Sequence, residues 1–223
     1  SAAESLAKVL GEHPNVTCDV GAVVFGHAAA VTADAAFARK LGRGKAGFRS
    51  ALWELDGAFG VLPLTYAAKS QVGSAQFLIG LELLLLAERP EQIFLTTDHP
   101  NGGPFTAYPY LIRLLMDKAF RDEEIQKLNA KAVSLSAVPS IKREYSLYEI
   151  AQITRSGPAR ALGMKTRGQL GVGAAGGIAV YREQADKQKM FTEPVRVFRG
   201  ETNVLAARER PLDAAWLEKK VAP

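Results

Sequence analysis

The sequence predicts an α/β fold followed by a small β-rich module. In residues 1–165, the strand-like runs Val16–Val24 and Gln92–Thr97 are separated by an apolar helical segment over 75–87. Strands that alternate with helices are typical of the α/β class. In residues 166–223, closely spaced glycines interrupt short β-type runs. We therefore place a domain boundary near residue 165.

The individual elements follow from caps, chain breakers and β-branched runs. In chain order we expect a helix at Ala2–Gly11, a strand at Val16–Val24, a short strand at Trp53–Asp56 before a turn at 57–60, a helix at Ala75–Ala87, a strand at Gln92–Thr97, a helix at Tyr108–Phe120 with a polar helical continuation at Arg121–Lys131, a helix from Ser146 to near Thr154, a short helix from Gly157 to Gly163, and β-type runs at Ile178–Tyr181 and Val195–Phe198. Ser74 is predicted to cap the second helix and Pro90 to end it. Ser146 and Glu149 have the spacing of a capping box.

Length and composition indicate a soluble globular chain. Its 223 residues, 48% of them hydrophobic, are enough to bury a core without a disulfide or a metal. Cys18 is the only cysteine and no secretory signal is apparent, so we expect a reducing, cytoplasmic compartment. The longest apolar segment, Phe77–Ala87, is shorter than the ~20 residues of a membrane span. We expect it to be a buried helix.

The net charge of +5 is modest and is concentrated in residues 39–49, which carry five basic residues and no acid. A solvated loop and a site for a polyanionic ligand, such as an acidic cofactor tail, are both consistent with this segment. Nucleic acid is disfavoured as a partner because few aromatic residues interleave with the charges.

The segment Thr96–Phe105, which reads Thr-Thr-Asp-His-Pro-Asn-Gly-Gly-Pro-Phe, is the main candidate site. It places Asp98 where a strand gives way to a loop, the position at which α/β barrel enzymes keep their catalytic groups. A carboxylate there is suited to general acid–base work beside a metal-bound water. The same residues also make a good turn, in which Asp98 and Asn101 bond local main-chain amides. Spacing alone leaves both interpretations open.

Other candidate sites are weaker. Cys18, Asp19 and His27 do not have a recognised zinc spacing, and Cys18 is expected to be a buried strand residue. The segment 171–176 matches Gly-x-Gly-x-x-Gly but lacks the helix and the later acid of a dinucleotide-binding unit. Neither pattern predicts a function.

Five strings along the chain resemble the A subunit of formylmethanofuran dehydrogenase and its counterpart in the bacterial formyltransferase/hydrolase complex. They are Asn15–Gly21, Thr32–Asp34, Gly80–Leu83, Leu95–Phe105 and Ile153–Gly163. The Asp-His-Pro-Asn string is the most specific of them, and Gly168–Gly173 resembles the return into the small β domain of amidohydrolases.

This resemblance implies the C-terminal part of an amidohydrolase-type (β/α)8 barrel followed by a composite β-sandwich module. It implies a binuclear zinc site that hydrolyses N-formylmethanofuran to formate and the free amine. Asp98 matches the family's catalytic and metal-binding aspartate, and we expect His99 and Asn101 to contact substrate. The implied partners are the other subunits of such a complex and the N-terminal half of the same polypeptide.

The other ligands of that zinc site are absent from this sequence. The family uses a His-x-His pair, a carboxylated lysine and further histidines, whereas the chain has only His13, His27 and His99. Either the chain is one piece of a larger polypeptide, which we favour, or it has kept the scaffold and lost the metal. The alternative functions are a role in a redox complex with tungsten or molybdenum and a non-catalytic scaffold. His27-Ala-Ala-Ala and Gly177 depart from the family pattern.

Overall fold

The computed structural model describes residues 1–32, 52–54, 59–200 and 202–206. The basic segment 39–49 lies outside the described residues. The described part is a mixed α/β structure, as the sequence predicts. Its strands are Cys18–Gly21 (β1), Gly26–Thr32 (β2), Leu52–Glu54 (β3), Phe59–Tyr66 (β4), Ile93–Thr96 (β5), Gly177–Val180 (β6), Arg196–Arg199 (β7) and Thr202–Ala206 (β8). Its α-helices are Ala2–Glu12 (α1), Gln71–Leu86 (α2), Tyr108–Met116 (α3), Lys118–Gln126 (α4), Ala130–Ser134 (α5), Leu147–Ala151 (α6), Gly157–Ala161 (α7) and Lys187–Thr192 (α8).

Strands β1 and β5 pair in parallel, with Cys18 opposite Ile93 and Gly21 opposite Thr96. Val20, Ile93 and Leu95 are buried in the main hydrophobic core. Parallel neighbours need a crossover connection, and α2 lies within the segment that joins them. The carboxyl ends of both strands therefore meet at one edge, where the Asp98 loop begins. The complete barrel and the sandwich remain predictions.

Helix α2 begins at Gln71, so the prediction that Ser74 caps it was wrong. Ser70 has extended main-chain angles, and its hydroxyl accepts the Gly73 N–H at 3.3 Å. Ser74 is instead fully buried inside the helix and donates its hydroxyl to the Ala68 carbonyl at 2.6 Å. The N-terminus of α2 was predicted too late along the chain because the first turn of the helix lacks the apolar pattern of the rest. The helix also ends before Pro90, at Leu86.

Buried polar groups anchor α2 to its surroundings. Glu82 is 2% exposed, and its carboxylate accepts the Ser136 hydroxyl at 2.6 Å and the Ala137 N–H at 3.0 Å. The Ser1 hydroxyl donates to the other oxygen of the Glu82 carboxylate. These bonds satisfy a carboxylate that would otherwise be costly to bury. No helix in the described ranges is both long and apolar enough to span a membrane.

The predicted helix Tyr108–Phe120 is two helices, because Asp117 interrupts it. Asp117 has an extended main chain, and its carboxylate accepts the Phe120 N–H at 2.9 Å as the N-cap of α4. Within α4, Arg121 is fully buried and donates to the main-chain carbonyls of Leu114, Ile141 and Arg143 at 2.8, 3.2 and 2.9 Å. Its guanidinium therefore joins the end of α3 to the segment that leads into α6.

The capping box at Ser146 and Glu149 is confirmed. The Ser146 hydroxyl accepts the Glu149 N–H at 3.2 Å, and the Glu149 carboxylate accepts the Ser146 N–H at 2.8 Å. Arg143 donates to the same carboxylate at 2.8 Å. A single π-helical turn, Gln152–Ser156, continues α6 into α7.

Two antiparallel sheets complete the described structure, in the orders β2–β4–β3 and β6–β7–β8. Strand β4 includes Phe59 and Gly60, so the predicted turn at 57–60 was wrong at these two positions. Gly60 and Pro63 weaken the strand signal because both residues are unfavourable inside strands. The sheet β6–β7–β8 agrees with the β-type runs predicted for residues 166–223. Helix α8, between β6 and β7, was not predicted. It packs on α3, where Arg113 pairs with Asp186 at 2.9 Å.

Candidate active site at the Asp98 loop

Asp98 lies just past the carboxyl end of β5 in an unusual main-chain conformation. Its φ of 44° is in the left-handed region, which Asp tolerates better than most residues. Its main-chain carbonyl accepts the N–H groups of Asn101 and Gly102, so the chain reverses direction here. The His99–Pro100 peptide bond within the turn is cis.

The Asp98 carboxylate is not used to close this turn. It is exposed, and its Oδ1 accepts the side-chain amide of Asn101 at 3.2 Å. We find no donor to the other oxygen among the residues described. The loop is thus a turn closed by a main-chain carbonyl, and it leaves a carboxylate directed to solvent. The prediction that the Asp98 side chain bonds local main-chain amides was wrong, because the main-chain carbonyl of Asp98 accepts them instead. The catalytic interpretation stays a prediction.

His99 and Asn101 have different surroundings. The His99 ring stacks on Phe105 with centroids 4.0 Å apart, and its Nδ1 lies 3.2 Å from the Gly103 carbonyl oxygen. Phe105 is itself 67% exposed. Asn101 is half-buried and supports the Asp98 carboxylate. Of the two, Asn101 is the one that contacts the candidate acid.

The loop fits closely against the segment that follows β1. The Val24 N–H donates to the Gly102 carbonyl at 2.9 Å, and the Ala29 N–H of β2 donates to the Pro100 carbonyl at 3.0 Å. A Cβ on Gly102 would lie 2.9 Å from the Ala22 carbonyl oxygen. A Cβ on Gly21 would lie 2.8 Å from Asp98 Cβ. The loop therefore requires glycine at both positions.

Asp19 and Thr96 form a polar contact beside Asp98 that the sequence did not predict. The Thr96 hydroxyl donates to Asp19 Oδ1 at 2.8 Å, and the Asp98 N–H donates to the Thr96 hydroxyl at 3.3 Å. Spacing along the chain groups Asp19 with Cys18 and His27, as weak candidate metal ligands, and gives Thr96 no separate role. The signal that connects them is the parallel register of β1 and β5.

The described residues do not by themselves fit a zinc site. Within these ranges, no three His, Cys, Asp or Glu side chains come together as a group able to hold a metal ion. His27 lies in β2 with its Nδ1 3.3 Å from the Thr65 hydroxyl. Burial raises the pKa of the Cys18 thiol, and the charge of Asp19 raises it further, which disfavours the thiolate that zinc needs. A zinc site needs about four ligands, and of the predicted ligands only Asp98 lies in this chain.

An open groove of about 760 Å³ adjoins the loop and is lined by Thr96 and Phe105. Tyr108, Tyr181 and Phe191 contribute aromatic surface to it, and Arg155 is the charged side chain among its described lining. The groove joins the first part of the chain to elements of the β-rich module. It is suited to a ligand with apolar or aromatic parts.

The amidohydrolase family model matches residues 1–197. The chain belongs to this family. It is 46% identical over 196 residues to the A subunit of the formyltransferase/hydrolase complex Fhc of Methylorubrum extorquens, a match that covers 86% of the chain and 35% of that relative. It is 40% identical over 197 residues to the protein FwdA of Methanocaldococcus jannaschii, covering 85% of the chain and 34% of that relative. The amidohydrolase chain thus spans about a third of the length of these relatives.

A solved structure shares the fold. The chain matches the crystal structure of the formyltransferase/hydrolase complex FhcABCD of Methylorubrum extorquens, determined with methylofuran, with a TM-score of 0.86 and 42% identity. The match covers 92% of this chain and 38% of that one. The resemblance drawn from the Asp-His-Pro-Asn string and its companions is confirmed.

Proposed function

We propose that this amidohydrolase chain forms part of the A subunit of a complex that hydrolyses an N-formyl amide, with formylmethanofuran or a close variant as substrate. The observation that carries the proposal is Asp98, an exposed carboxylate at the carboxyl edge of the parallel pair β1–β5. Its loop belongs to a chain that is 46% identical to a formyltransferase/hydrolase subunit.

In the proposed reaction, water attacks the formyl carbon and the C–N bond breaks. Asp98 accepts one proton from the attacking water and passes it to the leaving nitrogen. The formic acid that forms then gives its remaining proton to the amine, so the products are formate and the protonated amine of the carrier, and atoms and charges balance. Asn101 holds one oxygen of Asp98 and leaves the other available for this transfer.

The proposed metal is zinc, with Asp98 as the ligand that this chain supplies. The remaining ligands would come from polypeptide outside the described residues, as would the rest of the (β/α)8 barrel. The other subunits of the complex are the proposed partners, and a cytoplasmic setting belongs to the same proposal. The groove lined by Phe105 is the proposed binding site of the carrier, and the His99 ring stacks on Phe105.

Two alternative functions differ from the proposed hydrolysis. In a redox complex with a tungsten or molybdenum subunit, the same chemistry runs towards formylation of the carrier. The resemblance of the sequence to formylmethanofuran dehydrogenase supports this alternative. In a non-catalytic scaffold, Asp98 has no catalytic role. The identity to the Fhc protein favours hydrolysis.

Replacing Asp98 with Asn in the complete complex tests the proposal. Asn tolerates the left-handed main chain as well as Asp does, so the turn persists while the proton acceptor is lost. We expect formate release to fall by at least ~100-fold, the lower end of general acid–base contributions.

Asp122→Asn is the matched control, because Asp122 lies on α4 and pairs with Lys118 there. It should hydrolyse substrate at the normal rate. Undiminished hydrolysis by Asp98→Asn would refute the catalytic assignment and favour the scaffold alternative.

A further inference from the structure

Asp19 and Thr96 lie on the same face of the β1–β5 pair. Asp19 is directly opposite Phe94, and Thr96 is two residues further along β5. Side chains two residues apart point to the same side of a sheet, so the Asp19 carboxylate reaches the Thr96 hydroxyl diagonally. The 2.8 Å contact is that of a hydroxyl donating to a carboxylate. No described Lys or Arg forms an ion pair with Asp19.

The Thr96 hydroxyl has one proton and two lone pairs. The Val20 carbonyl competes for that proton at 3.4 Å, but Asp19 is closer and charged, so it is the better acceptor. With its proton directed to Asp19, the hydroxyl oxygen can accept the Asp98 N–H at 3.3 Å. A hydroxyl that donates its proton to a carboxylate also becomes a stronger hydrogen-bond acceptor.

The Asp98 main chain needs such support, because left-handed residues other than glycine are held in place only by their surroundings. Its carbonyl is fixed by Asn101 and Gly102, and its amide is fixed by Thr96. We propose that Asp19 is a positioning residue that acts through Thr96 to hold Asp98 in its left-handed conformation. This inference rests on the proposed function for its catalytic consequence, but its structural part does not.

The chain offers closely matched variants. Thr96→Val removes the hydroxyl while keeping the side-chain shape, and Thr96→Ser restores a hydroxyl. Thr97→Val is the control, since the Thr97 hydroxyl is buried and has no hydrogen-bond partner in the described structure. Asp19→Asn weakens the acceptor without removing it.

Hydrogen exchange of the Asp98 amide, followed by NMR in the 223-residue chain, is the first measurement. We expect Thr96→Val to speed this exchange by about 3- to 10-fold, which corresponds to the loss of one ordinary hydrogen bond. Asp19→Asn should have a smaller effect, whereas Thr96→Ser and Thr97→Val should leave the exchange rate near its original value. Unchanged exchange in Thr96→Val would overturn the inference.

Kinetics in the complete complex are the second measurement. Thr96→Val should lower kcat by roughly ten-fold, since the acid is displaced rather than removed, with KM little changed. Asp19→Asn added to Thr96→Val should lower kcat no further, because the carboxylate acts through the hydroxyl. Additive losses would refute the connection.

The two proposals fail separately. If Asp98→Asn abolishes hydrolysis but Thr96→Val does not reduce it, the positioning role is refuted and the proposed function stands. If Asp98→Asn is fully active, the proposed function is refuted, and exchange of the Asp98 amide alone decides the role of Asp19 and Thr96.

Discussion

Replacing Gly21 with alanine tests whether β1 must lack a side chain beneath Asp98. An ideal Cβ on Gly21 lies 2.8 Å from Asp98 Cβ and 3.6 Å from its Cγ. Relaxed contacts between carbon atoms are about 3.5–4.0 Å, so the two main chains must separate by roughly 1 Å. A rotamer change cannot relieve this contact, because Asp98 Cβ is bonded directly to the main chain.

The expected cost follows from two opposing effects. Forcing an extra methyl group into a packed contact costs about 1–3 kcal/mol. Replacing glycine by alanine also restricts the unfolded chain, which returns about 0.4–1 kcal/mol. We therefore expect Gly21→Ala to lower the free energy of unfolding by about 1.3 kcal/mol, the midpoint of the resulting range of about 0–2.6 kcal/mol. Hydrolysis in the complete complex should fall as well, because the loop that moves carries Asp98.

Gly171→Ala is the matched control, since no heavy atom lies within 4 Å of its ideal Cβ. It should leave the free energy of unfolding unchanged or raise it by up to ~1 kcal/mol. Urea unfolding of both variants measures the difference, and formate release by the complex measures the displacement of Asp98. If Gly21→Ala matches Gly171→Ala in both assays, the close approach of β1 to Asp98 is wrong.

Two further variants test the framework around the site. Arg121→Met should lower the free energy of unfolding by about 3–5 kcal/mol, because three main-chain carbonyls lose a buried charged donor. Urea unfolding measures this loss, and a loss below ~1 kcal/mol would contradict the prediction. Burial alone would raise the pKa of the Glu149 carboxyl, but hydrogen bonds from the Ser146 main chain and from Arg143 lower it overall from 4.5. Its stabilising charge is therefore fully present above pH 4.5 and is lost as pH falls through the lowered pKa. Glu149→Gln keeps the capping box, so we expect a deficit of about 1 kcal/mol at pH 7 that shrinks as the pH falls below 4.5 and through the lowered pKa. A deficit that does not change with pH would refute this.

The sequence predicted the two strands β1 and β5, though not their pairing, and it predicted the first antiparallel sheet poorly. Strands β1 and β5 lie within apolar runs that carry their own strand signal, with Val20 and Leu95 buried. Strand β2 contains Ala28, Ala29 and Ala30, which have little β preference. Its partner β4 contains glycine and proline. Pairing between distant segments stabilises this sheet, and such pairing cannot be predicted from the local sequence pattern of either strand.

The arrangement of residues at the candidate site could likewise be predicted only in part. Asp98 could be located because a strand end and a turn sequence coincide at it. The contact between Asp19 and Thr96 depends on the register of β1 against β5, which joins residues 77 positions apart. A shift of one residue would turn every side chain of a strand to the other face. No spacing rule within either segment determines that register.

Asp98 fits the sequence pattern of a turn residue and that of a catalytic acid, and its conformation explains why these interpretations do not compete. In a turn closed by the aspartate side chain, the carboxylate is occupied by main-chain amides. Here the left-handed φ lets the Asp98 carbonyl take those amides instead. The carboxylate is then held on one side by Asn101 and remains open on the other. The turn is therefore the means by which β5 presents an acid at its carboxyl end, and glycine at 21 and 102 gives the turn the space it requires.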